Sequence, residues 1–287
     1  MLKFGYADTP HGQVHYASAG AGEALILLPG SARSYRQFLP LIARWAQHWR
    51  VIAVDTLGYG ASAPFPAGGS IETLAEGVVG VLDALGLERA HVFGMHTGHK
   101  VAAAMAAGWP QRVARVVIAG KTHSIIPENQ ARNDAIASRV AGRTHMRTVS
   151  AEPQLLSLAD WGRLFKGIAG MWWTEALFDK SAAPPIEAVR DKIVDELTSL
   201  GDTGRIYHAN YQFDFAAACM AIKAPALILE VTHESEDRAY GRQGDRLAAM
   251  MKQARVALLP SVDELGLGCN ADPDAMAQCV TGFLKGD

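Results

Sequence analysis

The residues best suited to chemistry lie in one short stretch, Val92-Phe93-Gly94-Met95-His96-Thr97-Gly98-His99. An apolar strand runs into a Gly-x-His-x-Gly turn, and an alanine-rich helix follows over Lys100 to Gly108. Gly94 and Gly98 permit a turn too tight for most Cβ atoms, and this turn would present His96 above the edge of a sheet. An imidazole in this position would act as a general base or acid, or as a nucleophile, although the acyl-imidazole formed by attack is labile.

The segments around this turn alternate between strand and helix patterns. Residues 3–7 and 14–19 alternate apolar and polar side chains on either side of a turn, which predicts a β-hairpin. Continuous apolar runs, typical of strands covered on both faces, occupy Ala24–Leu28, Val51–Asp55, Val92–Met95, Val116–Gly120, Ala226–Val231 and Val256–Pro260. Helices are predicted from Tyr35, over Ile71–Leu85 behind the N-cap Ser70, and over Pro273–Leu284. This alternation predicts an α/β fold with a doubly wound parallel sheet.

The pattern changes between residues 121 and 215. Helical stretches recur there, around 134–140, 155–173, 186–200 and 207–220, without a convincing buried strand. We therefore expect residues 1–120 and 216–287 to form the core domain and residues 121–215 to form an inserted helical cap.

The amino-acid composition limits the kinds of molecule that this protein is expected to bind. The 287 residues are 49% hydrophobic with a net charge of −2 and a pI near 6.6, which does not favour nucleic acid or another polyanion as partner. There is no apolar run long enough for a membrane span and no secretory signal pattern. Three cysteines without CxxC spacing predict buried thiols in a reducing cytoplasm. We expect a small-molecule substrate, no nucleic acid or membrane partner, and a monomer or a homodimer.

Three motifs in this order resemble the α/β-hydrolase superfamily. They are Asp55-x-x-Gly58-x-Gly60-x-Ser62, the turn around His96, and Pro110-x-x-Val113. The resemblance is to the cap-bearing branch, which includes esterases, C–C hydrolases, haloalkane dehalogenases and epoxide hydrolases. It implies the α/β-hydrolase fold with a helical cap, and it identifies residues 94–98 as the nucleophile elbow, in which serine is usual and His96 stands here.

The resemblance also implies an oxyanion hole made of backbone amides. One amide comes from the loop after the third strand, which supplies Ser31 or Ala32 here, and the other from Thr97, the residue after the elbow position. A hole built from backbone groups tolerates side-chain changes, so it can survive replacement of the serine.

The remaining triad positions carry carboxylates in this chain. The acid that follows the seventh strand in the family falls on Glu234, with Glu236 and Asp237 close enough to compete. The family histidine, expected after the last strand, falls on Glu264, or on Asp263 if the loop shifts by one residue.

A histidine flanked by carboxylates leaves several functions open. His96, oriented by Glu234 and Glu264, would hydrolyse an ester, lactone or C–C bond, or it would serve a lyase, decarboxylase or isomerase as an acid or base. The same three side chains would also suit a metal ion, although no local spacing motif supports one and we expect neither metal nor cofactor. The last alternative is an inactive protein whose pocket only binds ligand.

Further candidates surround the expected pocket. Substrate binding is the hypothesis for five of them, each with a structural role as the alternative: Arg33, His123, Trp172, Trp173 and Tyr211. For His99, packing against the sheet is the favoured interpretation.

Overall fold

The computed structural model describes residues 1–120, 186–199, 202–232, 237, 241–260 and 272–286. Eight strands form one sheet: β1 (Lys3–Thr9), β2 (Gly12–Ala19), β3 (Ala24–Leu28), β4 (Arg50–Val54), β5 (Ala90–Met95), β6 (Val113–Ala119), β7 (Ala226–Thr232) and β8 (Ala254–Pro260). Their order is β1-β2-β4-β3-β5-β6-β7-β8. The pairs β1–β2 and β2–β4 are antiparallel and the others are parallel. The predicted hairpin and mostly parallel sheet are confirmed.

Helices connect the strands. They are α1 (Leu39–Trp45), α2 (Ile71–Ala84), α3 (Thr97–Gly108), α4 (Ile186–Thr198), α5 (Thr203–Gln212), α6 (Phe215–Ala221), α7 (Gly244–Ala248) and α8 (Pro273–Lys285). A 3-10 turn, Tyr35–Phe38, precedes α1. Among the described residues, no helix is long and apolar enough to cross a bilayer.

The sheet is covered on both sides, as the apolar runs predict. The side chains of α2, α3 and α6 pack with alternate residues of β3, β5 and β6 in one hydrophobic cluster. The other cluster joins the remaining strand residues to α1 and α8. All residues of β3 and β5 are buried, which places the elbow at the end of a central, fully covered strand.

Local sequence explains several helix boundaries. Ser70 caps α2, where its hydroxyl accepts from the Thr73 amide and the Thr73 hydroxyl accepts in return from the Ser70 amide. The helix expected from Tyr35 is divided into a 3-10 turn and α1, with Pro40 in the first turn of α1, where its missing N–H costs nothing.

The prediction of one continuous helix over 207–220 is wrong. It forms α5 and α6, and Asp214 caps α6 by accepting from the Ala217 amide. Ile206 and Ala209 of α5 join the same hydrophobic cluster as α2 and α3. The division of the chain into core and cap at residues 120 and 215 stays a prediction, because most of the expected cap lies outside the described residues.

Candidate active site

The elbow holds His96 in a strained backbone conformation. His96 has φ 50° and ψ −115° between the end of β5 and the first residue of α3. Its amide donates to the carbonyl of Ala119 at 3.1 Å, which ties it to the neighbouring strand. Such a conformation costs about 1–3 kcal/mol in a non-glycine residue and is found mostly at functional sites.

The two glycines of the elbow are required by the packing of the backbone. A Cβ added at Gly94 would collide with the carbonyl of Gly98, and one added at Gly98 would collide with the carbonyl of Leu28. The sequence-based interpretation of this turn is therefore confirmed in its geometry. The helix begins at Thr97, three residues before the predicted start.

The imidazole of His96 lies over the end of β6. Its Cε1, Nδ1 and Nε2 atoms are 3.0, 3.1 and 3.2 Å from the position that a Cβ on Gly120 would occupy. Gly120 has φ +90° and its amide donates to the carbonyl of Leu229 on β7 at 3.0 Å. The ring is half-buried and lies beside the residue that follows β6, on the side of β5 away from β3.

The carboxylates expected beside His96 follow β7 and β8. Glu234, Glu236, Glu264 and Asp263 all lie outside the described residues, whereas Asp237 is described and half-buried. The last residues of the two strands, Thr232 and Pro260, pair with each other. Since β5, β6, β7 and β8 are parallel, β7 and β8 end at the edge of the sheet where His96 sits.

The loop after β3 approaches the elbow through side chains. The hydroxyls of Ser31 and Thr97 are 2.5 Å apart. Ala32 has φ 53°, and it and His96 are the two non-glycine residues of the described chain with positive φ. The Thr97 amide is the first of α3, where a helix leaves N–H groups without an intrahelical acceptor. The candidate oxyanion residues thus lie on two adjoining turns.

Two side chains that the sequence did not single out hold this loop, the half-buried Gln37 and the buried Asp195. Gln37 accepts from the Gly30 amide at 3.0 Å and donates to the Met95 sulfur at 3.1 Å. Asp195 of α4, 1% exposed, accepts from the Ser34 amide at 3.1 Å and the Ser34 hydroxyl at 2.6 Å. Nothing in the local sequence singles out either residue, because the helical neighbours of Asp195 (Asp191, Lys192, Thr198 and Ser199) are polar and Gln37 follows no motif.

Asp195 also determines the surroundings of Arg33. Its carboxylate lies 3.8 Å from the Arg33 Nε atom and 3.3 Å from Arg36 Nη1. Burial raises the pKa of Asp195, and the Ser34 hydroxyl and the two guanidinium groups act against that rise. Arg33 thus has a carboxylate of the protein beside it, and the role of Arg33 in substrate binding stays a prediction.

The other sequence candidates are dispersed. Tyr211 is half-buried on α5 and stacks on Tyr207 with ring centroids 6.5 Å apart. His99 is 2% exposed, with its Nδ1 atom 3.0 Å from the Ala119 carbonyl and its ring against Phe215, as the packing interpretation predicts. His123, Trp172 and Trp173 lie outside the described residues. Among the residues that are described, no three His, Cys, Asp or Glu side chains are grouped as metal ligands.

The loop after β4 has a structural role. The Asp55 carboxylate accepts from the Tyr35 amide at 2.7 Å and from the Ala61 amide at 3.1 Å, and it lies 2.8 Å from His15 Nδ1. The Ser62 hydroxyl donates to the Asp55 carbonyl at 2.5 Å. The Asp-x-x-Gly-x-Gly-x-Ser motif therefore fixes the shape of a loop beside the site.

Comparison with known proteins agrees with this architecture. Residues 23–151 match the family model described as the alpha/beta hydrolase fold. The enol-lactonase from Burkholderia xenovorans LB400 superposes with a TM-score of 0.74 at 23% identity, over 98% of this chain and 100% of that one. This chain has the α/β-hydrolase fold. The residues that match the family model make up less than half of the chain.

Curated relatives of this α/β-hydrolase-fold chain match over a shorter segment. A 2-hydroxy-6-oxononadienedioate/2-hydroxy-6-oxononatrienedioate hydrolase from Paraburkholderia phymatum is 41% identical over 114 residues, 38% of this chain and 40% of the relative. The carboxylesterase YbfK from Bacillus subtilis is 34% identical over 124 residues, 42% of each chain. The chain thus matches about two fifths of the length of these relatives.

Proposed function

We propose that this chain is an enzyme that acts on a small, largely apolar carbonyl compound, with His96 as the general base or nucleophile. Glu234 and Glu264 orient the imidazole and balance its charge. The amides of Thr97 and of Ser31 or Ala32 polarise the substrate carbonyl, and the reaction uses no cofactor. An ester, a lactone or a C–C bond next to a carbonyl is the substrate class that this arrangement suits.

The conformation of His96 is the observation that carries the proposal. The chain keeps a non-glycine residue at φ 50° between two glycines that admit no side chain. A histidine serving only the packing would gain nothing from this strain, and backbone strain of this kind is concentrated at functional sites. The names of the relatives, which include hydrolases, carboxylesterases and an enol-lactonase, support carbonyl chemistry.

Turnover of a panel of p-nitrophenyl esters in metal-stripped buffer tests the proposal. We expect the wild type to release p-nitrophenol and His96→Ala and His96→Ser to lose at least about 100-fold in kcat/KM, as removal of a general base does in other enzymes. His48→Ala is the matched control, because His48 is exposed and lies in the turn before β4. Full activity of His96→Ala would refute the role of His96.

A second function is favoured by the type of side chain in the elbow. Because an acyl-imidazole is labile, histidine is better suited to proton transfer than to a stable acyl-enzyme. His96 would then remove a proton next to the polarised carbonyl, as in a lyase, decarboxylase or isomerase. Exchange of this proton for deuterium, followed by NMR on ketone substrates, separates this function from hydrolysis. A pocket that binds ketones or esters and neither hydrolyses nor exchanges them would identify an inactive, ligand-binding protein.

Two further properties rest on the sequence alone. We propose a cytoplasmic location, from the use of cysteine, and either a monomer or a homodimer in solution. Cell fractionation and light scattering test them.

A further inference from the structure

The side chains of Ser31 and Thr97 join the loop after β3 to the elbow. Their hydroxyl oxygens are 2.5 Å apart, although the two residues are 66 positions apart in sequence. Ser31 is half-buried, and Thr97, the first residue of α3, is 6% exposed. This distance is that of a hydrogen bond between two hydroxyls, in which either residue can be the donor. We call this contact the hydroxyl bridge.

The loop is attached to the protein on each side of the hydroxyl bridge. Before the bridge, the Gly30 amide donates to the Gln37 side chain, and after it the Ser34 amide donates to Asp195. Gln37 lies in the 3-10 turn before α1, and Asp195 lies in α4. The hydroxyl bridge adds an attachment between these two, and it is made to the residue that directly follows His96. It therefore links the loop to the elbow itself.

The backbone of Ala32 is strained at the point where the loop meets the elbow. Ala32 has φ 53°, a conformation that costs free energy in a residue with a side chain. Such a conformation persists only where the surrounding contacts determine it. The hydroxyl bridge holds the residue before Ala32, and Asp195 holds Ser34, two residues after it. The strained segment is thus fixed on both sides.

We propose that the hydroxyl bridge sets the separation of the two amides of the oxyanion hole, so that the side chains of Ser31 and Thr97 are positioning groups. This inference rests on the proposed function, in which Thr97 carries one amide and Ser31 or its neighbour Ala32 carries the other. Such donors stabilise a transition state only when both stand about 2.7–3.1 Å from the developing oxyanion. Freedom of movement between the loop and the elbow would therefore weaken the hole, although neither hydroxyl has to meet the substrate.

Thr97→Val removes the hydroxyl bridge and keeps the shape of the side chain. The Ser31 hydroxyl that it leaves is half-buried and can bind water instead, so the Tm should stay close to that of the wild type. We expect kcat/KM for the preferred p-nitrophenyl ester to fall about 10-fold, chiefly through kcat, because a displacement below 1 Å weakens an interaction made in the transition state. Thr97→Ser retains the hydroxyl and should retain most of the turnover.

A double variant distinguishes a bridge from two side chains that act separately. Ser31→Ala alone leaves the buried Thr97 hydroxyl without its partner, so we expect it to lower both the Tm and kcat/KM. If the two hydroxyls act together, Ser31→Ala/Thr97→Val should regain the Tm and lose no more turnover than Thr97→Val. A double variant whose loss of turnover is the product of the two single losses would overturn the inference.

Ser70→Ala is the matched control for a loss of stability. Ser70 is half-buried, and its hydroxyl accepts from the Thr73 amide at the start of another helix, α2. This variant should lower the Tm and leave turnover unchanged. Three further outcomes would overturn the inference: equal kcat/KM for Thr97→Val and the wild type, a change in KM alone, and an equal loss in Thr97→Ser. All of them leave the proposed function standing, provided that the wild type turns over and His96→Ala does not.

Amide hydrogen exchange, followed by NMR, tests the hydroxyl bridge without any turnover. We expect the Gly30 amide to exchange about 3- to 10-fold faster in Thr97→Val than in the wild type, as loss of one hydrogen bond allows. Thr97→Ser should match the wild type. Equal exchange in Thr97→Val and the wild type would overturn the inference alone. Faster exchange, in a protein that neither hydrolyses esters nor exchanges the protons of ketones, would overturn the proposed function and with it the role of the bridge in catalysis.

Discussion

At the scale of single residues, the position of the imidazole depends on the absence of a side chain opposite it. Gly120 leaves room for the His96 ring at the end of β6, and a Cβ there would stand 3.0–3.2 Å from three ring atoms. Gly120 is therefore a positioning residue for His96.

We predict that Gly120→Ala displaces the imidazole by a few tenths of an ångström and lowers kcat/KM roughly 3- to 10-fold, since a shift of about 1 Å in a reacting group costs about 100-fold. It should also destabilise the protein by roughly 1–2 kcal/mol through the positive φ. Steady-state kinetics and urea unfolding measure the two effects.

Gly86→Ala is the control for this prediction. Gly86 has φ +64°, and an added Cβ would meet no atom within 4 Å. Gly86→Ala has the same cost in backbone strain at a positive φ but makes no contact with His96, so its turnover should match that of the wild type. Equal turnover in Gly120→Ala and Gly86→Ala would show that the ring does not depend on Gly120.

At the scale of secondary-structure elements, a buried lysine joins α3 to α5. Lys100 is 4% exposed, and its Nζ atom donates to the Asn210 carbonyl at 2.6 Å. Burial lowers the pKa of Lys100 from 10.5 to about 8. The contact fixes α5 on the helix that begins at the elbow, at the cost of a charge removed from water.

This lysine predicts a rise in stability with pH. Between pH 8 and 10.5 the unfolded chain binds the proton of Lys100 more tightly than the folded protein, so the free energy of unfolding increases across this range. The lowering of the Lys100 pKa corresponds to a destabilisation of roughly 3 kcal/mol. This destabilisation is fully present below pH 8 and is lost as the lysine of the unfolded chain gives up its proton near pH 10.5.

Lys100→Met measures this contribution, because it keeps the length of the side chain and removes the charge. We expect it to be more stable than the wild type at pH 7 and to show a smaller rise between pH 7 and 9.5 in urea unfolding. The exposed Lys223→Met should retain the rise seen in the wild type. If Lys100→Met kept the whole rise as well, another group would be responsible.

At the scale of the whole molecule, Asp195 connects a helix from the second half of the chain to the loop beside the elbow. Its partner Ser34 is 161 residues away in sequence. Arg33 and Arg36 are about 30% exposed, so water weakens their attraction to this carboxylate. The two hydrogen bonds to Ser34 therefore contribute most of the stability of this connection.

We predict that Asp195→Ala lowers the free energy of unfolding by about 2–3 kcal/mol, because it leaves buried donors of Ser34 without an acceptor. It should also lower kcat/KM, since the same loop carries Ser31 and Ala32. Urea unfolding and steady-state kinetics measure the two effects. Asp191→Ala, one turn earlier on α4, is the control, because Asp191 pairs with its neighbour Arg190. Equal effects of the two substitutions would show that the contact with Ser34 does not stabilise the protein or the loop.

The sequence predicts the sheet and the elbow well for a physical reason. Buried parallel strands need continuous apolar runs, and the turn at His96 needs two glycines, so both leave local patterns. Gln37 and Asp195 act through contacts with other segments, and such contacts leave no periodicity in the chain. The break between α5 and α6 leaves no clear signal either, because apolar residues continue across it at helical spacing.

The elbow separates the shape of the backbone from the identity of the side chain that it presents. Its form depends on Gly94, Gly98 and the bond from the His96 amide to Ala119, and none of these involves the imidazole. The same backbone could therefore present other reactive side chains at position 96. A cysteine placed there by His96→Cys would lie at the N-terminus of α3, where the helix dipole favours a thiolate. Such a variant would offer a fast-reacting thiol for attaching spectroscopic labels or trapping bound electrophiles.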